Sequence, residues 1–301
     1  MIAKFNRLLV SFSSYLNSPL GKKQKVLSFF RIFKWMIKLR IYGKGIYYWF
    51  EGSSFYYDNK DHGVLGNIYA GLDEFESMSF LLHTMREEDT FFDVGSNSGI
   101  YSVLSGKVVK SITYSYEPNT ECFKRLSKNI ELNNLNEKVF PNKIAVGSRK
   151  EKRKFTKNLN CIGRFVTESD LNIDYEYAEV TTLDYEVKSH NTDLFFMKID
   201  VEGFESEVFK GGKESFKNNN CMAVIVELCG NGKDFGYSEK DLFEEIKKCD
   251  FIPIKYDPFN RKVSKNTSFA FDGNIIFIKN FKAIQERIEK TKSFSIQGYK
   301  I

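Results

Sequence analysis

Phe91-Phe92-Asp93-Val94-Gly95-Ser96-Asn97-Ser98-Gly99 opens on apolar residues, passes an acid and ends in a turn of small residues. The pattern predicts a buried strand running into a helix, with the turn at the carboxyl edge of an open α/β sheet, where such folds bind ligands. Gly95 lets backbone approach a ligand without a Cβ, Asn97 can take the left-handed conformation of a tight turn, and Gly99 allows close packing of the helix. A dinucleotide turn needs a middle glycine to cradle pyrophosphate. Here that position is Asn97, and Asp93 repels a phosphate. A nucleoside carrying a sulfonium amino acid suits that carboxylate better.

Outward from this turn the chain alternates strand and helix. Strands are predicted over Thr90–Val94, Ile112–Tyr116 and Val139–Val146, with helices over Gly99–Lys107 and Thr120–Asn133. Residues 150–187 break the rhythm, because the charged alternating stretches Lys152–Lys157 and Glu179–Leu183 read as hairpin-like strands laid over the active face, where they shape substrate choice. The rhythm resumes with strands Leu194–Ile199, Ala223–Leu228, Phe251–Tyr256 and Asn274–Ile278 and helices Phe204–Phe216 and Glu239–Cys249. Such alternation predicts an α/β, Rossmann-like domain with a mostly parallel sheet and helices on both faces. It is expected to span 61–285, after a basic helical and strand extension at 1–60 and before a tail at 286–301.

Three further stations carry acids at predicted strand ends. Tyr116-Glu117-Pro118 places a carboxylate where nucleotide-binding βαβ units accept ribose hydroxyls. Met197-Lys198-Ile199-Asp200-Val201-Glu202-Gly203-Phe204-Glu205 ends a buried strand in an acidic cluster. Asp200 and Glu202 are the first candidates for a base that takes a hydroxyl proton. Glu205 and Glu207 are expected to be solvated first-turn helix residues. Glu227 closes the next strand, and Asp200 with Glu227 is the candidate pair for a divalent metal such as Mg2+, against a plain hydrogen bond to backbone. His83 and His62 are outside candidates for the base, with His83 expected to pack in an apolar helix face.

The cysteines, Cys122, Cys161, Cys221, Cys229 and Cys249, are scattered and odd in number, so neither a disulfide framework nor a zinc site is expected. A reducing cytoplasm fits them. Leu8, Leu9 and Val10 form too short an apolar run for a secretory signal, and no stretch reaches the ~18 apolar residues of a spanning helix. Lys and Arg dominate the first fifty residues while the remainder is close to balanced. Val26, Phe29, Phe30, Phe33, Met36 and Ile37 recur at helical spacing between Lys25, Arg31, Lys34 and Lys38, a basic amphipathic helix. Its apolar face is expected to pack on the main domain, with peripheral contact at the inner face of the membrane as the alternative. No nucleic-acid motif is present, so nucleic acid is not an expected partner.

Together these stations resemble the FkbM family of S-adenosylmethionine (SAM) dependent methyltransferases. DVGSNSG (93–99), YEP (116–118) and KIDVEGFE (198–205) match its patterns, and Gly66-Asn67-Ile68-Tyr69, Gly71 to Glu76, Tyr256 to Phe259 and Arg261 extend the likeness. The resemblance implies a class I methyltransferase sheet and O-methylation of a hydroxyl, with Asp93, Gly95, Asn97, Gly99 and Glu117 at the cofactor. Glu76, Ser96, Pro118, Asn119 and Ala145 are placed there with them. The implied acceptor is a saccharide in polysaccharide or glycolipid biosynthesis, with a small natural product or a non-catalytic SAM-binding scaffold as the alternatives. Asn160 to Phe165 matches weakly and leaves the acceptor side unread.

Overall fold

The computed structural model describes residues 13–59, 61–157, 163–168, 170–190, 192–269 and 273–301. In chain order its strands begin with β1 (Lys44–Tyr48) and β2 (Ser54–Asp58), an antiparallel hairpin. Then come β3 (Thr90–Val94), β4 (Ile112–Tyr116), β5 (Val139–Asn142), β6 (Ala145–Gly147), β7 (Glu151–Thr156) and β8 (Tyr175–Thr182). They are followed by β9 (Phe195–Ile199), β10 (Cys221–Leu228), β11 (Ile252–Asp257), β12 (Lys262–Lys265) and β13 (Gly273–Ile278).

The main sheet has eight strands in the order β12-β11-β13-β10-β9-β3-β4-β5. The run β5-β4-β3-β9-β10 is parallel, and β13 enters antiparallel to β10. β3 and β9 are buried at every position, as central parallel strands covered on both faces must be. Alternate side chains serve opposite layers. Phe91 and Phe196 join one apolar cluster, and Phe92 and Phe195 join the other. Strand order reverses between β3 and β9, which makes their carboxyl ends the topological switch point.

The observed boundaries depart from the predicted ones where side chains or backbone forbid continuation. The expected strand Val139–Val146 divides: β5 is the sheet's edge and carries Pro141, while β6 leaves to pair with β8 in the smaller sheet β6-β8-β7. The expected helix Phe204–Phe216 is two helices, Glu205–Lys210 and Lys213–Lys217. They break at Gly211, where a Cβ would stand 1.9 Å from the Gly147 carbonyl oxygen. The helix after Gly99 is α-helical over Ile100–Val103 and π-helical over Leu104–Val109. Helix Phe281–Lys290 runs through residue 286 with Ile284 and Ile288 buried, and Phe294, Ile296 and Ile301 after it are buried as well.

The β1–β2 hairpin is pinned to helix Thr120–Leu132. Asn133 accepts from Ser54 N at 2.8 Å and donates to its carbonyl at 2.7 Å, and Asn129 accepts from Tyr56 N at 2.8 Å. The basic helix spans Lys25–Tyr42, but it packs through a different face from the one expected. Ser28 and Ile32 are buried with Trp35 and Leu39 partly so, while Val26, Phe29, Phe30, Phe33 and Ile37 are exposed. No helix among the described residues is long and apolar enough to cross a membrane. Leu8, Leu9 and Val10 lie outside the described residues.

Candidate active site

Every strand-end acid singled out in the sequence arrives at the same edge of the sheet. Gly95, at φ +82°, lets the β3 turn press against β9, since a Cβ there would lie 1.7 Å from the Asp200 carbonyl oxygen. Asn97 adopts the left-handed conformation at φ +49°, and its N–H donates to Glu117 Oε2 at 2.8 Å. Asn119 N–H donates to Glu117 Oε1 at 2.8 Å. Glu117 is thus held by two backbone donors from two turns, with lone pairs left for further hydroxyl donors. Burial pushes its carboxyl up to about 7.

Beside Glu117 lies a cavity walled by Pro118, Cys122, Ala145, Val146, Phe155 and Phe165. Its wall combines these apolar side chains with the carboxylates of Glu117, Asp200 and Glu202, and suits a purine riboside, with the base between aromatic rings and the ribose at Glu117. A second cavity shares Gly95, Asn97 and Asp200 with the first and adds Asp73, Asp93, Ser96 and Lys198. Burial raises Asp93 and Asp73 each to about 6, and Asp93 accepts from Ser102 Oγ at 2.5 Å. Ser96 Oγ is buried there with no partner. Buried acids and an orphaned hydroxyl are the donors and acceptors that an amino acid's ammonium and carboxylate require.

The acid cluster is organised by Lys198, a buried ammonium 2.5 Å from Asp200 Oδ2 and 3.8 Å from Glu74 Oε2. Burial alone lowers a lysine's pKa, but these carboxylates outweigh it and hold Lys198 charged. Burial likewise opposes ionisation of Asp200, yet Lys198 holds it below the usual carboxylate range. Burial and the Asp200 charge push Glu227 well above that range, so Glu227 keeps its proton and shares it with Asp200 in a hydrogen bond. Glu202 is raised to about 7, first by burial and then by Asp200. It sits at φ +54° and accepts from Asn231 Nδ2 at 3.1 Å. Oxygens of Asp200, Glu202 and Glu227 all lie within 4.8 Å of one another.

Some expected residues serve behind the cavities. Glu76 accepts from Tyr256 N at 2.7 Å and lines neither cavity, whereas its neighbour Glu74 lines the second and accepts from Tyr101 OH at 2.6 Å. Asn119 caps helix Thr120–Leu132 and positions Glu117. Gly99, at φ +83°, starts the next helix and admits Leu126, whose Cδ1 would be 2.5 Å from a Cβ. Glu205 and Glu207 are not solvated. Glu205 is buried and accepts from Val201 N at 3.0 Å and Gly203 N at 3.2 Å, which shapes the Glu202 turn. Glu207 accepts from Tyr237 OH at 2.5 Å and from Ser148 Oγ. His83 packs remote from the cavities, its Nδ1 2.5 Å from Tyr256 OH, and burial lowers it to about 4. Phe155, Gly163 and Phe165 bring the 150–187 insertion to the Glu117 cavity. The His62 side chain, Cys161 and residues 158–162 lie outside the described residues.

Sequence reasoning gave no role to Lys198, Glu74 or Asp73. Lys198 stood within a quoted motif, and a lysine inside an otherwise apolar strand ending in acids was its signal.

The Methyltransferase FkbM domain family matches residues 93–253. The hexuronic acid methyltransferase AglP of Haloferax volcanii is 28% identical over 180 residues, covering 58% of this chain and 72% of that protein. Among solved structures, the methyltransferase FkbM from Methylobacillus flagellatus KT aligns at a TM-score of 0.45 and 13% identity, over 74% of this chain and 55% of that chain. TYW2 of M. jannaschii in complex with AdoMet aligns at 0.39 and 16%, over 78% and 85%.

Proposed function

The chain belongs to the FkbM methyltransferase family, and on that premise we propose that it transfers the methyl group of SAM to a saccharide hydroxyl in glycan biosynthesis. The observation that carries this reading is the pair of cavities that share Gly95, Asn97 and Asp200, with a ribose-accepting carboxylate and Glu202 in one and Asp73, Glu74 and Asp93 in the other. Glu117 would hold the ribose, Pro118, Ala145, Phe155 and Phe165 the base, and Asp93, Asp73 and Ser96 the amino acid end. Bound there, the cofactor supplies an electrophilic methyl on a cationic sulfur. A relative that acts on a hexuronic acid supports a saccharide acceptor. The free cysteines among the described residues suit a reducing cytoplasm.

The protein's own task is to aim the hydroxyl and take its proton. The two candidate bases differ in electrostatics. Asp200 is neutralised by Lys198 and accepts a hydrogen bond from Glu227, which makes it a weak base and a rigid acceptor that orients a hydroxyl. Glu202, raised to about 7, is the proton acceptor matched to neutral pH.

A divalent cation held by Asp200, Glu202 and Glu227 is the second reading, favoured by the convergence of their oxygens. Lys198 already supplies the counter-charge at Asp200, so the acid–base reading uses no metal. The test is methyl transfer from labelled SAM by the full chain to uronic acid and neutral saccharides, before and after treatment with a chelator. Label on a saccharide after chelation is expected. Label only on non-saccharide hydroxyl compounds overturns the acceptor, and loss on chelation restored by Mg2+ moves the mechanism to the metal.

A further inference from the structure

Helix Lys25–Tyr42 carries two apolar stripes on opposite sides. Ser28, Ile32, Trp35 and Leu39, spaced by four, three and four, face the domain, where the Trp35 ring meets Tyr47 and Tyr57 edge-on at 5.4 and 5.5 Å. Val26, Phe30, Phe33, Ile37 and Ile41 recur with the same helical period half a turn away, and each is between 45% and 69% exposed. Lys34 borders this outer stripe on one side and Arg40 on the other, and the Lys38 ammonium lies 4.4 Å over the Trp35 ring between the two stripes. Packing on the domain explains the first stripe and leaves the second unexplained.

Charge selects the occupant. The first 50 residues contain seven lysines, three arginines and no aspartate or glutamate. A second copy of the helix would set cation against cation. An anionic bilayer satisfies both features: phosphates meet the flanking cations while the phenyl and isoleucine side chains enter the acyl boundary. We propose that the outer face of helix Lys25–Tyr42 docks the enzyme on an anionic lipid surface. The packed side of that helix rests on helix His62–Ala70, where Arg31 donates to the Tyr69 carbonyl at 3.1 Å. Helix His62–Ala70 in turn gives Gly63 and Asn67 to the second cavity. Docking therefore brings the bilayer to within one helix of the acid cluster.

The test is co-sedimentation of the full chain with vesicles of phosphatidylcholine alone and of phosphatidylcholine with phosphatidylglycerol, across a salt series. Wild type is expected on the anionic vesicles only, with binding falling as salt rises. Lys34→Gln/Lys38→Gln/Arg40→Gln is expected to bind about a hundredfold less, roughly fivefold for each near-surface cation removed. Phe30→Ser/Phe33→Ser/Ile37→Ser is expected to abolish sedimentation while SAM affinity and melting temperature stay at wild-type values. Wild type remaining in the supernatant at low salt overturns the proposal. So does undiminished vesicle binding by either variant, or an apolar variant whose only change is from dimer to monomer, which would give the stripe to a second copy.

Discussion

Lys198 Nζ stands 2.5 Å from Asp200 Oδ2 on the last turn of a fully buried strand, and the same ammonium lies 3.8 Å from Glu74 Oε2. One buried cation therefore ties the end of β9 to the approach of helix Phe75–Thr84. Removing one partner of such a pair leaves the other charge buried and alone, which costs about 3–5 kcal/mol. Lys198→Met is expected to lose that much stability in urea unfolding. Lys198→Met/Asp200→Asn is expected to regain most of the stability and none of the methyl transfer. A single variant as stable as wild type would show that the pair does not hold the strand end.

Glu117 has its own test. Its two oxygens accept from the N–H groups of Asn97 and Asn119, so Glu117→Gln keeps one of these bonds and sets its amide NH2 against the other donor. Glu117→Gln should still fold, at a lower melting temperature because one buried donor loses its acceptor, and should bind SAM more weakly by about 1–3 kcal/mol, the range for a lost charge-assisted hydrogen bond. Titration calorimetry reads this directly, and equal affinity in the two proteins would take the ribose away from Glu117.

The sheet and the site were legible in the sequence to different degrees. The β3 turn was readable because its constraints are local: Gly95 must be bare against β9, and Asn97 must go left-handed, whatever surrounds them. The acids of β4, β9 and β10 were readable because parallel strands all deliver their carboxyl ends to one edge. What stayed hidden depended on distant partners. Nothing near Glu205 says that its carboxylate accepts from Val201 and Gly203 rather than facing water. The 150–187 insertion was read as lying over the active face, but nothing near Phe155 and Phe165 says that these two rings wall the Glu117 cavity. The basic helix misled because both of its faces are apolar, and periodicity alone does not choose which one packs.

The crowding of buried acids sets the pH dependence of stability. Burial raises Asp73 and Asp93 to about 6, Glu117 and Glu202 to about 7 and Glu205 to about 8. Their unfolded values are near 4. Groups raised in the folded state contribute stability that is fully present below the unfolded value and is lost as pH climbs through the folded one. Glu207 and Asp170, held near 2, work the other way and lose their contribution only in acid below about 4. The cofactor-free protein should therefore be most stable near pH 5, with its melting temperature falling steadily toward pH 8. A melting temperature that rises over that interval would mean these carboxyls ionise freely when folded.

The same shifts separate the two candidate bases by their kinetics. With Glu202 taking the proton, kcat/KM rises with pH through an apparent value near 7 and then levels, because only the ionised carboxylate can accept. Glu202→Gln is expected to abolish that limb and lower kcat by about 10²–10⁴. Asp200→Asn should fold and also lose most of its rate, since it no longer orients the hydroxyl, but its residual activity carries a different signature. The Asp200 charge helps to hold Glu202 up, so removing it moves the limb to lower pH. Had Asp200 been the base, Asp200→Asn would erase the limb and Glu202→Gln would keep it. The pair of profiles thus assigns the proton to one carboxylate, and a limb that persists unmoved in both variants would place the base outside this cluster.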